Sequence, residues 1–347
     1  MKKGGIWRHV VPGIIIAGIA LYLTYRKTDA TQLLLILREM AWPFLLLVLP
    51  PLILSYAFRI FRWRFLLSPV GSVSIKETSG PLITGFFVNS ILPGRVGEIL
   101  RALLLSRRTS IPGASSFATV LLARIFDGLT LAAMTLAVLS VLWNELNTTI
   151  RLGLVVAGLL YMAILLMLIA LRKWKDGTAR AISAPIRWLG FHSMSLKFEK
   201  QLVSFSHGLE ILRNWTDTVR VIFYSLGVWG SLALSVIPVF WTMHLHVLWY
   251  YPLLVLVLAG LGMLIPTPAG TGTIHGALVL VLPGLIGITA ESTRIFALLF
   301  HTTQFLPVIL VGIVIAVKEG VTTSQVSRIA ENEEAQLTSG RPDPPGD

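Results

Sequence analysis

Leu152–Leu171 reads LGLVVAGLLYMAILLMLIAL, with no charge from end to end. A bilayer-spanning helix needs ~20 mostly apolar residues. In hydrocarbon every backbone polar group must be satisfied internally, so such a run can only be a helix or a strand of a closed barrel. Its uninterrupted apolar character fits the helix. Similar runs recur at Val10–Tyr25, Ala41–Ile60, Ala114–Trp143, Val219–Leu245 and Arg294–Val317. Hydrophobic residues make up 54% of the 347 and charged residues 13%, against about 25% charged in an ordinary soluble domain. The expected fold is an all-α polytopic integral membrane protein.

The basic excess, 29 Lys and Arg against 17 Asp and Glu, would suggest nucleic acid in a soluble chain. Here it sets topology, because cations gather in cytoplasmic loops. Lys2, Lys3 and Arg8 precede the first run, and Arg59, Arg62, Arg64 and Lys76 follow the second. The stretch 172–217 holds eight more basic residues. Both termini are therefore expected in the cytoplasm, and Arg59, Arg62 and Arg64 in the headgroup region. The first run resembles a signal peptide but lacks a small-residue cleavage site, so it reads as a retained helix. The absence of cysteine excludes disulfides and thiol chemistry.

Two regions break the pattern. Gly85–Arg101 reads GFFVNSILPGRVGEILR, placing Asn89, Arg95, Glu98 and Arg101 beside the breakers Pro93, Gly94 and Gly97. Tyr251–Leu285 is apolar except for PTPAGTGT at 266–273. In each, two short apolar segments flank a Gly/Pro break, the pattern of a re-entrant helical hairpin. The expected hairpins cover about 81–106 and 251–288, in addition to about seven or eight crossing helices. Their breaks align as PGRVGE against PAGTGT. Opposed hairpins of this kind mark an inverted repeat around a midplane site. The segment 172–217 carries apolar residues at helical spacing (Phe198, Leu202, Phe205, Leu209, Leu212) and reads as an amphipathic cytoplasmic segment. Residues 318–347 read as a disordered cytoplasmic tail, leaving 1–317 as one transmembrane domain.

Ionisable residues at membrane depth are functional by default. Arg95, Glu98 and Arg101 are spaced to share a helix side. The break exposes N–H groups that favour an anion, Arg95 or Arg101 offers a planar guanidinium for phosphate, and Glu98 fixes an arginine or carries a proton. The bland alternative is a structural Glu98–Arg101 pair. Arg124 and Asp127 stand near the middle of a long apolar run and must face the interior, either completing the site or fixing helix packing. Pro268, Gly270, Gly272 and His275 form the second candidate group. The glycines permit close approach, and His275 titrates near neutrality when unperturbed. Arg294, His301 and Gln304 are weaker candidates for the cavity wall. Metal ligation is not expected, nor a Walker-type ATP site or any cofactor.

The string from Gly85-Phe86-Phe87-Val88-Asn89 through Leu92-Pro93-Gly94-Arg95-Val96-Gly97-Glu98-Ile99-Leu100-Arg101 resembles the lysylphosphatidylglycerol synthase transmembrane family. These are flippase-like proteins whose relatives include the membrane half of the bacterial multiple peptide resistance factor. The Arg62-Trp63 pair, Arg124 with Asp127, and Pro268-Ala269-Gly270-Thr271-Gly272 agree with it. Two positions depart: Ala269 replaces a usual glycine, and His275 stands where the family carries an acid. The resemblance implies movement of an anionic phospholipid or a polyprenyl-phosphate type intermediate between leaflets of a prokaryotic cytoplasmic (inner) membrane. The residues after Val317 are too few for an aminoacyl-transferase domain, so lipid synthesis is not expected.

The expected partners are membrane lipids, with a homo-oligomer or a lipid-synthesising enzyme as further candidates and no nucleic acid. Two other readings stay open. One is an integral membrane enzyme acting on a lipid phosphate, with Asp127 and His275 as its acid/base pair. The other is a non-catalytic partner of a lipid-modifying enzyme.

Overall fold

The structure is a computed structural model. It describes residues 5–26, 28–92, 95–146, 148–188, 190, 192–196, 198–199 and 214–321. Every regular element among them is helical. The chain opens with α1 (Gly5–Tyr25), whose last turns pack on the second break region. Residues 26–40 contain a second helix, α2 (Ala30–Glu39). Asp29 caps it by accepting from the Thr31 N–H at 2.8 Å, as an N-cap carboxylate does. Leu33, Ile36 and Leu37 then fall on one face and pack into the main core.

The prolines of the next run start helices rather than bend one. Pro43 lies in the first turn of a 3-10 segment, Trp42–Val48, and Pro50 and Pro51 open α3 (Leu49–Leu67). Proline suits these positions because a first-turn N–H has no helical acceptor. The helix continues past Ile60, which carries Arg59, Arg62 and Trp63 inside the protein. The expected interfacial placement of these cations is thus corrected for Arg59 and Arg62. Arg64 is exposed and donates from Nε to the Val73 carbonyl at 2.7 Å.

The first interrupted region folds as α4 (Ile75–Ile91) and α5 (Val96–Ser106). The first arm starts six residues earlier than expected from sequence, at Ile75 rather than Pro81. A capping box sets its start: Glu77 N–H donates to Ser74 Oγ at 3.2 Å, and Ser74 N–H donates to Glu77 Oε2 at 2.7 Å. Glycine lets the two arms close on each other. A Cβ at Gly85 would lie 2.6 Å from the Gly97 carbonyl oxygen, and one at Gly97 would strike Gly85 and Asn89. Small residues of this kind let membrane helices approach backbone to backbone.

After α6 (Gly113–Leu142) come α7 (Thr148–Lys173) and α8 (Lys175–Trp188). Part of the expected amphipathic segment is therefore helical. Ala179 of α8 is buried in a small core with Leu66, Leu122, Phe126 and Val221. Leu202, Phe205, Leu209 and Leu212 of that segment, and the tail beyond Val321, lie outside the described residues. The long helix α9 (Trp215–Thr242) has its most extensive packing against α3.

The second interrupted region is α10 (Tyr251–Gly262), a 3-10 turn at Pro268–Gly270, and α11 (Thr273–Ile286). Only α10, at 12 residues, is as short as a half-helix. With its leading turn, Pro268–Ile286 reaches 19 residues, long and apolar enough to cross a membrane. The final helix is α12 (Ala290–Lys318).

Among the described residues, five segments are long and apolar enough to span: Trp42–Leu67, Gly113–Leu142, Trp215–Thr242, Pro268–Ile286 and Ala290–Lys318. The main core gathers α6, α9, α10, α11 and α12, with Phe240 and Phe296 at 4.5 Å between ring centroids. Large aliphatic side chains remain on the outside, including Ile53, Leu280 and Leu310, all more than half exposed. Such a belt would promote association in water and is the ordinary surface of a helix in lipid. The chain is an all-α polytopic integral membrane protein.

Candidate functional site

Both breaks enter their following helix through a left-handed backbone. Arg95, the residue before α5, has φ 59. Ala269 and Gly270 have φ 52 and φ 69, and Gly272, the residue before α11, has φ 81. Left-handed geometry costs a residue with a side chain about 1–2 kcal/mol. At Arg95 and Ala269 that cost is met without glycine. In each unit a side chain ties the glycine that leads into the helix. Asn89 Oδ1 accepts from the Gly97 N–H at 2.8 Å, and His275 Nδ1 accepts from the Gly272 N–H at 3.2 Å. The Glu98 N–H is also taken, by the Arg95 carbonyl at 2.9 Å. The start of α5 thus offers an anion fewer free N–H groups than the sequence suggests, and recognition falls to side chains.

Those side chains converge around a cavity of about 400 Å³ between the two units. The first break contributes Asn89, Arg95 and Glu98, and α6 contributes Arg124 and Asp127. The opposite wall carries Thr267, Ala269 and Gly270 from the second break, with Gln304 from α12. The rest of the lining is aliphatic and aromatic, with Leu52, Leu256, Met263, Leu264 and Phe300.

A chain of charge contacts starts from the polar lining. Arg124 Nε is 2.7 Å from Glu98 Oε1, and Arg124 Nη1 donates to Asp127 Oδ2 at 3.3 Å. Asp127 Oδ1 accepts from Arg62 Nη2 at 2.8 Å and from Trp229 Nε1 at 3.2 Å. Arg62 continues to Ser225 Oγ at 2.9 Å. The chain joins α5, α6, α3 and α9. Arg62 is only 3% exposed, so without Asp127 it would be an uncompensated buried charge.

Two guanidiniums facing this cavity have no carboxylate partner among the described residues. Arg59 lies over the Phe86 ring at 4.8 Å and near Tyr56 at 5.8 Å, and its Nε is buried without an acceptor. Arg95 is exposed at the lip.

The sequence-derived candidates divide cleanly. Asn89, Arg95, Glu98, Arg124, Asp127 and Gly270 line the cavity, while Arg101, Pro268, Gly272 and His275 do not. Arg101 is 4% exposed and packs 4.9 Å over the Trp63 ring. Glu98 pairs with Arg124 and not with Arg101, which corrects the structural pair considered from spacing. Gly272 lies against α1, where a Cβ would meet the Ala17 carbonyl and Ala20. His275 sits behind the second break, 4.8 Å from the His301 ring and 5.9 Å from Tyr25 between centroids. His301 Nε2 is 3.1 Å from the Ala269 carbonyl oxygen, so it braces the break from α12. Gln304 lines the cavity and bonds Ser235. Arg294 does not line it. It pairs with Glu291 and donates to the Thr24 carbonyl.

Sequence reasoning missed Arg59, Tyr56, Phe86 and Trp229 as wall residues. The available signal was spacing: Arg59 and Arg62 are three apart, on one side of a helix, and two arginines sharing an inward side need acids such as Asp127.

The family profile described as "Lysylphosphatidylglycerol synthase TM region" matches residues 10–312. Glycosyltransferase AglD of Haloferax volcanii is 30% identical over 135 residues, covering 38% of this chain and 21% of that protein. The chain thus matches about one fifth of that relative's length.

Proposed function

The chain belongs to the family of the lysylphosphatidylglycerol synthase transmembrane region, and from that premise we propose that it moves an anionic lipid between leaflets. The cargo is a phospholipid or a lipid-linked, polyprenyl-phosphate type intermediate. The observation that carries this reading is the mixed character of the cavity wall. Guanidiniums of Arg59, Arg95 and Arg124 line it together with aliphatic side chains such as Leu52, Leu256, Met263 and Leu264. An amphiphile with an anionic head and a hydrocarbon tail fits both at once, whereas a small hydrophilic anion would leave the apolar wall wet.

The cavity lies between two helix–break–helix units, the arrangement in which rocking of one unit against the other exposes a site alternately to each side. Similarity to a protein named a glycosyltransferase keeps a lipid-linked sugar among the cargoes. The enzyme alternative is weaker because its acid/base pair is divided. Asp127 is held by Arg62, Arg124 and Trp229, and His275 lies off the cavity wall.

Purified protein reconstituted in liposomes tests the reading. Fluorescent anionic lipids should become accessible to a membrane-impermeant quencher on both faces faster than in protein-free vesicles. Arg95→Ala and Glu98→Ala should slow this at least tenfold. Movement at the rate of empty vesicles, or release of free phosphate or sugar from the lipid, would overturn it.

A further inference from the structure

The charges around the cavity do not balance. Among the described residues, three guanidiniums line it (Arg59, Arg95, Arg124) and two more lie behind its wall (Arg62, Arg101), against two carboxylates (Glu98, Asp127). Both carboxylates are engaged by Arg124, and Asp127 by Arg62 as well. Among the described residues no carboxylate makes a direct ion pair with Arg59 or Arg95, and Asp127 reaches Arg59 only through its field. A buried charge without a direct partner is costly in a low-dielectric interior, and the Nε of Arg59, like those of Arg62 and Arg101, is buried with no acceptor.

The geometry also bears on the kind of anion that would fit. Arg59 lies over Phe86, 4.8 Å from the ring centroid, and a guanidinium presents a planar fork matched to two oxygens of one phosphate. Arg95 approaches the same cavity from the first break. Two forks on one phosphate are best served where each can reach its own edge of terminal oxygens and where the charge on that phosphate is higher. A phosphodiester lipid offers two non-bridging oxygens and one negative charge. A phosphomonoester offers three oxygens and a charge of about −1.5 to −2 at neutral pH.

We infer that the cavity selects lipids whose headgroup ends in a dianionic phosphate, a phosphomonoester or diphosphate, over phosphodiester phospholipids, with Arg59 as the specificity-determining cation. The inference rests on the lipid-transport reading above. Arg59 and Arg95 grip the terminal phosphate, and Arg124, fixed by Glu98 and Asp127, adds its field without leaving its partners. Binding weakens as the dianion takes up its second proton near pH ~6.

The test is equilibrium binding to the purified full chain in detergent, with three probes: short-chain phosphatidic acid, short-chain phosphatidylglycerol and inorganic phosphate. At pH 7.5 the phosphatidic acid should bind at least tenfold more tightly than the phosphatidylglycerol, and the gap should shrink several-fold at pH 5.5. Arg59→Gln should abolish the gap while keeping the wild-type elution volume, and Arg59→Lys should leave an intermediate one. Should Arg59→Gln fail to fold, the pH dependence of the wild-type gap decides alone. Equal affinities for the two lipids overturn the inference and leave the transport reading standing. Binding of neither lipid overturns that reading itself. Inorganic phosphate binding as tightly as the phosphatidic acid preserves the dianion preference and overturns a lipid as its source.

Discussion

Glu98 Oε1 lies 2.7 Å from Arg124 Nε, which ties the first turn of the short helix α5 to the long helix α6. The side chains are 9% and 26% exposed, so the pair is largely withdrawn from solvent. Glu98→Gln keeps the shape and removes the charge. It should lower stability by about 1–2 kcal/mol, read as a shift in detergent melting, and slow lipid movement at least tenfold because Arg124 is then held by Asp127 alone.

Arg62 and Asp127 are a second, deeper link, 2.8 Å apart. Asp127→Asn leaves Arg62 buried without a counter-charge, a change that costs about 3–5 kcal/mol. Replacing both, as Arg62→Met with Asp127→Leu, should recover most of that stability, since an apolar pair needs no desolvated charge. Transport should stay lost in the double variant. Melting curves of the three proteins, beside liposome assays, check both parts.

Arg95 and Arg101 separate a transport role from a structural one. Arg95 is exposed at the cavity lip with a left-handed backbone. Arg95→Gly should relieve about 1 kcal/mol of backbone strain and still reduce transport at least tenfold. Arg101 packs on Trp63 and does not reach the cavity. Arg101→Ala should instead lower the melting temperature and expression, with transport per folded molecule within a factor of about three, a gap of under 1 kcal/mol. A greater loss for Arg101 than for Arg95, at equal folding, would reverse the assignment.

Much of this site was legible because charge in an apolar run is conspicuous. Arg95, Glu98, Arg124 and Asp127 stand out in that way, and all four line the cavity. The two breaks were readable because each gathers several Gly and Pro within a few residues, unlike the single prolines inside helices at Pro238 and Pro307. Arg59 and Arg62 were legible as cations but misplaced, because they follow an apolar run as interface residues do. Only the continuation of α3 to Leu67 shows that they are inside. Phe86 and Trp229 carry no sequence signal beyond hydrophobicity, and their roles come from tertiary neighbours. His275 was misread for the opposite reason. Its position near the break suggested the cavity, yet its ring turns toward Tyr25 and His301.

The close approach of α4 and α5 makes Gly97 intolerant of side chains. Even a Cβ there would strike the Gly85 backbone and the Asn89 carbonyl oxygen. Gly97→Val should separate the two arms, cost about 1–3 kcal/mol as overpacking does, and release Asn89 from its bond to the Gly97 N–H. Faster proteolysis within 85–101, together with lost transport, is the expected readout.

The most direct measurement is a density map of the protein in nanodiscs containing an anionic phosphomonoester lipid. The account expects a phosphate within hydrogen-bonding distance of Arg59 and Arg95, with its hydrocarbon chain along Leu256, Met263 and Leu264. Lipid density confined to the outer belt, with the cavity between the two breaks free of phosphate, would contradict it.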